Sequence, residues 1–441
     1  MANLDVSISV PGDKSTSTRA LLLALLAKGQ SSVDNVPLGR TTDRVVAVLR
    51  QLGAKVDVVN TRVTVVPPAQ LPSGATLDCG GSATLARILI GLLAGANVDA
   101  VVDGSAMLRR RPMDAVRNAL AHYFGRDVVS LCDGCLPARI HRGAPPTSTE
   151  TLTMLGSAQI RSALCFASIT ARRPFPITGV TSSARRSFEN LCVQIGLDPT
   201  SARVPVFDVT TPSDPSAEAF PIAAALALGR GLVVDGTPYP GLDRMGFQFA
   251  IRKMGAELSP DRRGATSVSD LMPANTRLLP RTRPLTGIVV AADPVVPPHG
   301  LRPNAHVYDE GLWMLMDEIP VLAALCALAT TPSRLCGLGA LRVKESDRIS
   351  RTAQMLQAFG AAVVEEGDDL LIEPATLHAP RVPIRTDHDH RIAMTALTLA
   401  RILDVSVELD DEDCVDESWR GFQAFIDDTV ARLREQSLQP P

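Results

Sequence analysis

Residues 20–29 read ALLLALLAKG, and an apolar segment of the same kind recurs five more times along the chain. The other copies are LARILIGLLAG (85–95), RSALCFASITA (161–171), FPIAAALALG (220–229), VLAALCALA (321–329) and IAMTALTLA (392–400). Each segment is apolar nearly all round, which predicts a helix that is buried on every side.

A second helix completes each repeat. After the buried segment come a short β-branched strand, a polar loop and an amphipathic helix, as in residues 42–56, TDRVVAVLRQLGAKV. In the sixth unit the strand is expected at VSVELDD (405–411). Solenoid repeats are usually shorter and carry capping units. The pattern therefore predicts an α/β fold with two domains of three units, divided near Thr210–Ser216, and a connection at Leu271–His306 within the fifth unit.

The bulk properties are those of a globular enzyme. The 441 residues are 45% hydrophobic and 21% charged, and the net charge of −3 gives no overall attraction to nucleic acid or to an anionic membrane. The apolar runs are shorter than the roughly 20 residues that span a bilayer. The N-terminus lacks the features of a secretory signal, so we expect a cytoplasmic protein. Cys132 and Cys135, with His141 nearby, leave open a zinc or redox site or a loop with free thiols.

Polar residues precede most of the buried helices. PGDKSTSTR (11–19) combines Gly12, a helix cap expected at Ser15 or Thr16, and the cations Lys14 and Arg19, which together suit an anion. The equivalent stretches are DCGGSAT (78–84), GSAQIRS (156–162), DEIP (317–320) and DHDHR (387–391). If the units are equivalent, these helix N-termini converge on one cleft between the domains.

Further charged residues precede the second helices, at RRRP (109–112) and LRVKESDR (341–348). Lys344 is one of five lysines in the chain, against 39 arginines by subtraction from 44. Lys344, Glu345 and Arg348 at i, i+1 and i+4 are compatible with an exposed charge set on a helix. A carboxylate between two cations is also how an acid/base residue is tuned.

These motifs resemble the enolpyruvyl transferase superfamily, and most closely its 5-enolpyruvylshikimate-3-phosphate synthase (3-phosphoshikimate 1-carboxyvinyltransferase) family. The matching stretches are PGDKSTSTRALLLA, DCGGSATLAR, RRRPMDAV, GSAQIRSAL, DEIPVLAALCALA, LRVKESDRI and DHRIAM. The resemblance implies a two-domain enolpyruvyl transferase fold, an inside-out α/β barrel in which each domain has three βαβαββ units. It also implies that residues 14–211 form the first domain, that residues 1–13 and 212–441 form the second, and that the active site lies in the cleft between them.

The resemblance also implies the reaction and its residues. The enolpyruvyl group of phosphoenolpyruvate would move to a hydroxyl of a phosphorylated acceptor, with no cofactor and no metal, in a chain that we expect to be a monomer. The catalytic residues would be Lys14, Asp317 and Glu345. The phosphoenolpyruvate-binding residues would be Lys14, Arg111, Gln159, Arg348 and Arg391. The acceptor-binding residues would be Ser15, Arg19, Ser157, Gln159, Asp317 and Lys344.

Several positions depart from the pattern of this family, and several of these departures fall on acceptor recognition. The departures are Gly81, Ala83, Ala158, Ser187, Ala340, Glu417 and the pair Arg40–Thr41. They leave open whether the acceptor is shikimate 3-phosphate, a nucleotide such as UMP or a UDP-sugar. The UDP-sugar is disfavoured, because the relatives that use one carry a loop cysteine near the position of Arg109–Arg111 and this chain has none there. A catalytically inactive binding protein is the alternative from another functional class.

Overall fold

The computed structural model of the chain describes residues 6–143, 145–148, 152–153, 157–174, 177–178, 186–198, 203–237, 242–260, 275–278, 285, 288–290, 306–308 and 314–436. Its contacts divide the chain into two compact units, Gly12–Pro212 and Met1–Pro11 with Ser213–Pro441. The chain therefore passes between the units twice, after Pro11 and after Pro212. Most of the expected connection 271–306 lies outside the described residues.

Helices and strands alternate through both units. The helices are α1 (Lys14–Leu26), α2 (Arg40–Gln51), α3 (Ala83–Ala96), α4 (Asp114–Phe124), α5 (Ala158–Ala171), α6 (Ser187–Gln194), α7 (Pro215–Leu228), α8 (Gly246–Lys253), α9 (Ile319–Ala327), α10 (Arg348–Ala358), α11 (His390–Leu403) and α12 (Phe422–Glu435). The strands are β1 (Val6–Ser9), β2 (Ser31–Asp34), β3 (Lys55–Val59), β4 (Arg62–Val66), β5 (Ala75–Asp78), β6 (Ala100–Asp103), β7 (Val129–Cys132), β8 (Cys135–Ile140), β9 (Leu152–Thr153), β10 (Ile177–Thr178), β11 (Asp208–Thr210), β12 (Leu232–Asp235), β13 (Leu258–Pro260), β14 (Asn275–Leu278), β15 (Ile288–Val290), β16 (His306–Tyr308), β17 (Ser333–Leu335), β18 (Ala362–Glu366) and β19 (Asp369–Glu373).

The same sheet order recurs. In β5-β6-β8-β7 the first two strands are parallel, and the last two form an antiparallel hairpin whose second strand pairs with β6. The orders β11-β2-β4-β3 and β1-β12-β14-β13 are equivalent, and β15-β17-β19-β18 repeats the order beside β16. Strands β9 and β10 form a short parallel pair. The predicted α/β class is confirmed.

The first helix of each repeat lies in the core, as predicted. Helices α1, α3 and α5 contribute to the core of the unit Gly12–Pro212, and α7, α9 and α11 pack together in the other unit. Gly91 and Gly95 let α3 approach the backbone of α5. A Cβ at Gly91 would lie 2.1 Å from the Ala163 carbonyl oxygen, and one at Gly95 would lie 2.2 Å from that of Ala167.

The predicted strand at residues 405–411 is wrong as a regular strand. The segment pairs at one bridge, Ile384 with Leu409, through the Ile384 N–H to Glu408 and the Asp410 N–H to Ile384. Pairing does not extend because the Asp410 side chain bonds Thr386 instead. None of the helices in the described ranges combines the length and apolar character that a bilayer crossing requires.

Gly91→Ala should destabilise the unit Gly12–Pro212 by about 1–3 kcal/mol, because its methyl meets backbone atoms that cannot move aside. Urea unfolding followed by circular dichroism measures the loss. The control is Gly29→Ala, whose methyl would meet a Val206 side-chain carbon at 3.2 Å. Equal unfolding midpoints for both variants would contradict close packing of α3 on α5.

Candidate active site

The N-terminus of α1 is capped by Asp13. Its backbone is extended (φ −61°, ψ 114°), and its carboxylate accepts the Thr16 N–H at 2.6 Å. The expected cap at Ser15 or Thr16 is therefore wrong, because the helix begins earlier, at Lys14. Lys14 lies in the first turn, where the helix N-terminus adds positive potential.

Arg19 is buried and connects α1 to α5. Its Nε donates to Ser162 Oγ at 2.9 Å, and its Nη1 donates to the Ser15 carbonyl oxygen at 2.9 Å and to Ser15 Oγ at 2.5 Å. Two predicted acceptor-binding residues, Ser15 and Arg19, are thus joined in one turn of α1.

Gln159 lies in the first turn of α5, after the N-cap Ser157. Its Oε1 accepts a hydrogen bond from Arg87, and its Nε2 donates to Thr84 Oγ1 at 3.0 Å. Arg87 also donates to the Pro112 carbonyl oxygen at 2.9 Å. The role of Arg87 was not predicted, although its position one turn after Thr84 on α3 was a local signal for it.

Arg111 is buried, directly after the short 3-10 helix Leu108–Arg110. Arg109 lies on a more exposed side and pairs with Asp103, and this hydrogen bond lowers the pKa of Asp103 below its usual range. Because Arg87 binds the residue that follows Arg111, it connects the Arg111 segment with Gln159. The unit Gly12–Pro212 therefore brings two predicted phosphoenolpyruvate residues into one network.

In the other unit, Arg348 lies at the centre of three carboxylates. Its Nε is 2.8 Å from Asp389 Oδ2, its Nη1 is 3.0 Å from Asp317 Oδ1, and its Nη2 is 2.7 Å from Glu345 Oε2. The Arg348 side chain is 2% exposed and that of Asp389 is 0% exposed. Lys344 Nζ lies 3.7 Å from Asp317 Oδ1. This unit therefore brings together four of the predicted residues.

The charges around Arg348 keep it ionised. Burial alone lowers the pKa of a guanidinium, but the negative charges of Asp389, Glu345 and Asp317 raise the pKa of Arg348 above its usual range. Asp389 also accepts from Ser346 Oγ at 3.0 Å and caps α11 by accepting the Arg391 N–H at 2.9 Å. Sequence reasoning noted the segment that contains Asp389 but gave this residue no role.

Arg391, the last of the predicted phosphoenolpyruvate-binding arginines, is also buried. Its Nη1 donates to the Ser216 carbonyl oxygen at 3.2 Å, and its guanidinium carbon lies 6.0 Å from the centre of the Phe220 ring. Both partners are on α7, so the first turns of α7 and α11 are held together. The ring contact has the geometry of a weak cation–π interaction.

A buried polar network lies beneath Ser216. Arg244 Nη2 donates to Ser216 Oγ at 2.6 Å and to Asp214 Oδ1 at 2.8 Å, and Ser216 Oγ also bonds Glu318. Glu318 precedes α9 and follows Asp317 in the chain. The network therefore connects Ser216, whose carbonyl oxygen binds Arg391, with Glu318, the neighbour of Asp317 in the chain. It was missed because contacts between distant segments leave no local pattern in the sequence.

The positions that depart from the family pattern are dispersed. Ala83 and Ala158 are the first residues of α3 and α5, and Ser187 is buried at the start of α6. The other positions lie elsewhere: Gly81 before α3, Arg40 and Thr41 at the start of α2, Ala340 in the 3-10 helix Gly339–Leu341, and Glu417 at the end of the 3-10 helix Glu412–Glu417.

Cys132 and Cys135 face each other across the turn between β7 and β8, and both are free thiols. His141 bonds Ser130 at 2.7 Å. Within the described part of the chain, no three His, Cys, Asp or Glu residues are grouped so that they could hold a metal ion.

Residues 1–426 match the family of EPSP synthase (3-phosphoshikimate 1-carboxyvinyltransferase). The chain belongs to the EPSP synthase family. The 3-phosphoshikimate 1-carboxyvinyltransferase of Acidiphilium cryptum is 34% identical over 444 residues, covering 94% of this chain and 92% of that protein. The protein of the same name from Bradyrhizobium sp. (strain ORS 278) is 34% identical over 442 residues, with 95% and 94% covered. The predicted membership of the enolpyruvyl transferase superfamily is confirmed.

Two solved structures have the same fold. An EPSP synthase from Acinetobacter baumannii aligns with a TM-score of 0.73 and 24% identity over 97% of this chain and 95% of that chain. The enolpyruvyl transferase NikO from Streptomyces tendae aligns with a TM-score of 0.69 and 18% identity over 97% and 94%. At these identities the likeness shows the fold of an EPSP synthase and nothing about the substrate.

Arg348→Met should destabilise the protein by about 3–5 kcal/mol, because it leaves Asp389 buried without its counter-charge. Urea unfolding measures the change. Arg342→Met is the matched control, since Arg342 also contacts three carboxylates but is 31% exposed, so its removal should cost much less. Equal losses in the two variants would show that burial of the Arg348 cluster is not what makes it important.

Glu218, on α7, makes the stability of the protein depend on pH. Burial, together with the like charge of Asp214, raises the pKa of Glu218 to about 8. The unfolded chain releases this proton near pH 4.3, at the usual pKa of about 4.3. The folded protein therefore binds more protons between about pH 4.5 and 8, so this group makes stability fall as pH rises through that window.

Glu218→Gln should therefore match the wild type most closely near pH 4 and exceed its stability by at least about 1 kcal/mol more at pH 8.5. Urea unfolding at both pH values makes the comparison. Glu257→Gln removes an exposed carboxylate from the same unit and should leave the pH dependence unchanged. The prediction is wrong if Glu218→Gln keeps the wild-type pH dependence.

Proposed function

We propose that this chain transfers the enolpyruvyl group of phosphoenolpyruvate to a hydroxyl of shikimate 3-phosphate and releases phosphate. This reaction belongs to the shikimate pathway of aromatic amino acid biosynthesis. The observation that carries the proposal is the cluster of Asp317, Lys344, Glu345 and Arg348 in a chain that matches the EPSP synthase family over residues 1–426. It supplies cations for anionic substrates and two carboxylates for proton transfer.

The donor carries a carboxylate and a phosphate, and forked guanidiniums suit both groups. We assign its binding to Lys14, Arg111, Gln159, Arg348 and Arg391. The acceptor would contact Ser15, Arg19, Ser157, Gln159, Asp317 and Lys344. The contacts of Arg19 with Ser15 and of Lys344 with Asp317 support this grouping.

In the proposed reaction, Asp317 takes the proton of the acceptor hydroxyl while the hydroxyl oxygen bonds to the central carbon of the enol. Glu345 gives a proton to the methylene carbon, and Lys14 aids proton transfer. Phosphate then leaves the tetrahedral intermediate, the methyl carbon returns a proton to the Glu345 carboxylate, and the vinyl group re-forms. Asp317 and Glu345 contact the same guanidinium, so the protonation of one changes the charge felt by the other.

One chain supplies all these residues, so we propose a monomer, which sedimentation at assay concentration can test. All eight cysteines are free thiols, which supports our proposal of a cytoplasmic location.

The acceptor is tested by phosphate release from phosphoenolpyruvate with shikimate 3-phosphate, unphosphorylated shikimate or UMP. We expect release with shikimate 3-phosphate and little with shikimate, because the cations of the acceptor group need an anion. Release with UMP alone would replace the proposed acceptor with a nucleotide. No release with any of the three, nor with a UDP-sugar, would support an inactive binding protein instead.

Glu345→Gln should lower kcat at least about 100-fold while phosphoenolpyruvate still binds, because the amide keeps the shape but cannot transfer the proton. Steady-state turnover and calorimetric binding separate the two effects. Glu366→Gln, which removes an exposed carboxylate at the end of strand β18, is the control and should retain full turnover. Near-normal kcat in Glu345→Gln would reject the role of Glu345.

A further inference from the structure

Two consecutive residues before α11 have left-handed backbone conformations. Asp387 has a φ of 50° and His388 has a φ of 63°. Side chains disfavour this region, so other contacts must hold such a turn. Asp389 and Arg391 follow directly, and their positions depend on how the chain leaves the turn.

The carboxylate of Asp410 binds this turn. Its Oδ1 accepts the Thr386 N–H at 2.8 Å and the Thr386 hydroxyl at 2.5 Å, and its Oδ2 accepts the Asp387 N–H at 3.3 Å. Thr386 Oγ1 in turn accepts the His388 N–H at 3.2 Å. The backbone N–H groups of residues 386–388 are therefore all bound by Asp410 or by the hydroxyl that it holds.

Asp410 is itself fixed in place and ionised. The N–H of Asp410 donates to the carbonyl oxygen of Ile384 at 3.1 Å. Because Ile384 lies two residues before Thr386, this bond holds Asp410 beside the turn. Burial raises the pKa of its carboxyl group, but the hydrogen bonds from Thr386 and Asp387 outweigh this effect and lower that pKa. Other side chains also contact the turn: Arg351 Nε lies 2.6 Å from Asp387 Oδ2, and His388, whose side chain is 70% exposed, bonds Asp411. These contacts reach side chains of the turn, whereas Asp410 accepts its backbone N–H groups.

We propose that Asp410 is a positioning residue for the donor-binding arginines. By holding Thr386, Asp387 and His388 in the left-handed turn, it fixes the first turn of α11. Asp389 then meets Arg348, and Arg391 meets the Ser216 carbonyl oxygen. Asp410 acts through these residues and contacts no reacting group. The predicted effect on the donor rests on the proposed function, whereas the effect on the turn does not.

Two readouts separate these effects. In Asp410→Ala, amide hydrogen exchange of residues 386–391 should be about tenfold faster than in the wild type, because the acceptor of the Thr386 and Asp387 N–H groups is lost and the turn that leads into α11 loosens. The KM for phosphoenolpyruvate should rise about tenfold, while the KM for shikimate 3-phosphate should change less than about twofold. Asp410→Asn keeps one acceptor oxygen and should be intermediate. Glu412→Gln removes an exposed charge two residues away and is the control.

A second substitution tests whether backbone conformation is the cause. Glycine adopts the left-handed region freely. His388→Gly in the Asp410→Ala background should therefore bring the raised KM for phosphoenolpyruvate most of the way back to the wild-type value. His388→Ala in the same background removes the same imidazole and should recover nothing.

Unchanged exchange at residues 386–391 in Asp410→Ala overturns the proposal, whether or not the wild type shows turnover. Equal rises in both KM values, or equal recovery by glycine and alanine, also overturn it, because a general loss of structure would cause them. If the wild type has no transferase activity, the proposed function fails, and exchange alone decides the role of Asp410.

Discussion

The buried guanidinium of Arg348 is the constraint on which the unit Met1–Pro11 with Ser213–Pro441 depends. Removing a charge from water is expensive, and a buried ion pair stabilises a fold only when its hydrogen bonds are well placed. Arg348 meets this condition with three carboxylates from three segments, those before α9, before α10 and at the cap of α11. One side chain therefore joins the N-termini of three helices, and this arrangement fixes where Asp317 and Glu345 lie.

The unit Gly12–Pro212 organises its polar residues differently. Arg19 donates to hydroxyl and carbonyl oxygens of Ser15 and Ser162, and Gln159 accepts from Arg87 through a neutral amide. These hydrogen bonds fix where the guanidiniums lie, and a guanidinium held in place suits the binding of a carboxylate or phosphate. The carboxylates around Arg348 cancel much of its charge, and they suit proton transfer. The proposed reaction needs both arrangements.

The sequence was sufficient to predict the repeated α/β fold and the buried helices, because both depend on local patterns that each unit repeats. It was not sufficient to identify the cap of α1, since Asp13, Ser15 and Thr16 are all residue types that can cap a helix. The observed cap, Asp13, also donates its N–H to the carbonyl oxygen of Pro212 at 2.7 Å, and this contact is distant in sequence. Ser216 and Arg244 were missed for the same reason, because nothing near them in sequence indicates their partners.

The Arg348 cluster also connects substrate binding with proton transfer. On the proposed function, the carboxylate of phosphoenolpyruvate binds a guanidinium whose Nη1 and Nη2 already contact Asp317 and Glu345. Bidentate binding of the phosphoenolpyruvate carboxylate to Arg348 therefore has to replace at least one of these contacts. A carboxylate that loses its cation gains proton affinity, which makes Asp317 a stronger base and Glu345 easier to protonate as an acid. Donor binding and activation of the acid/base pair would then be one event, and by linkage protonation of Glu345 would favour the donor in turn.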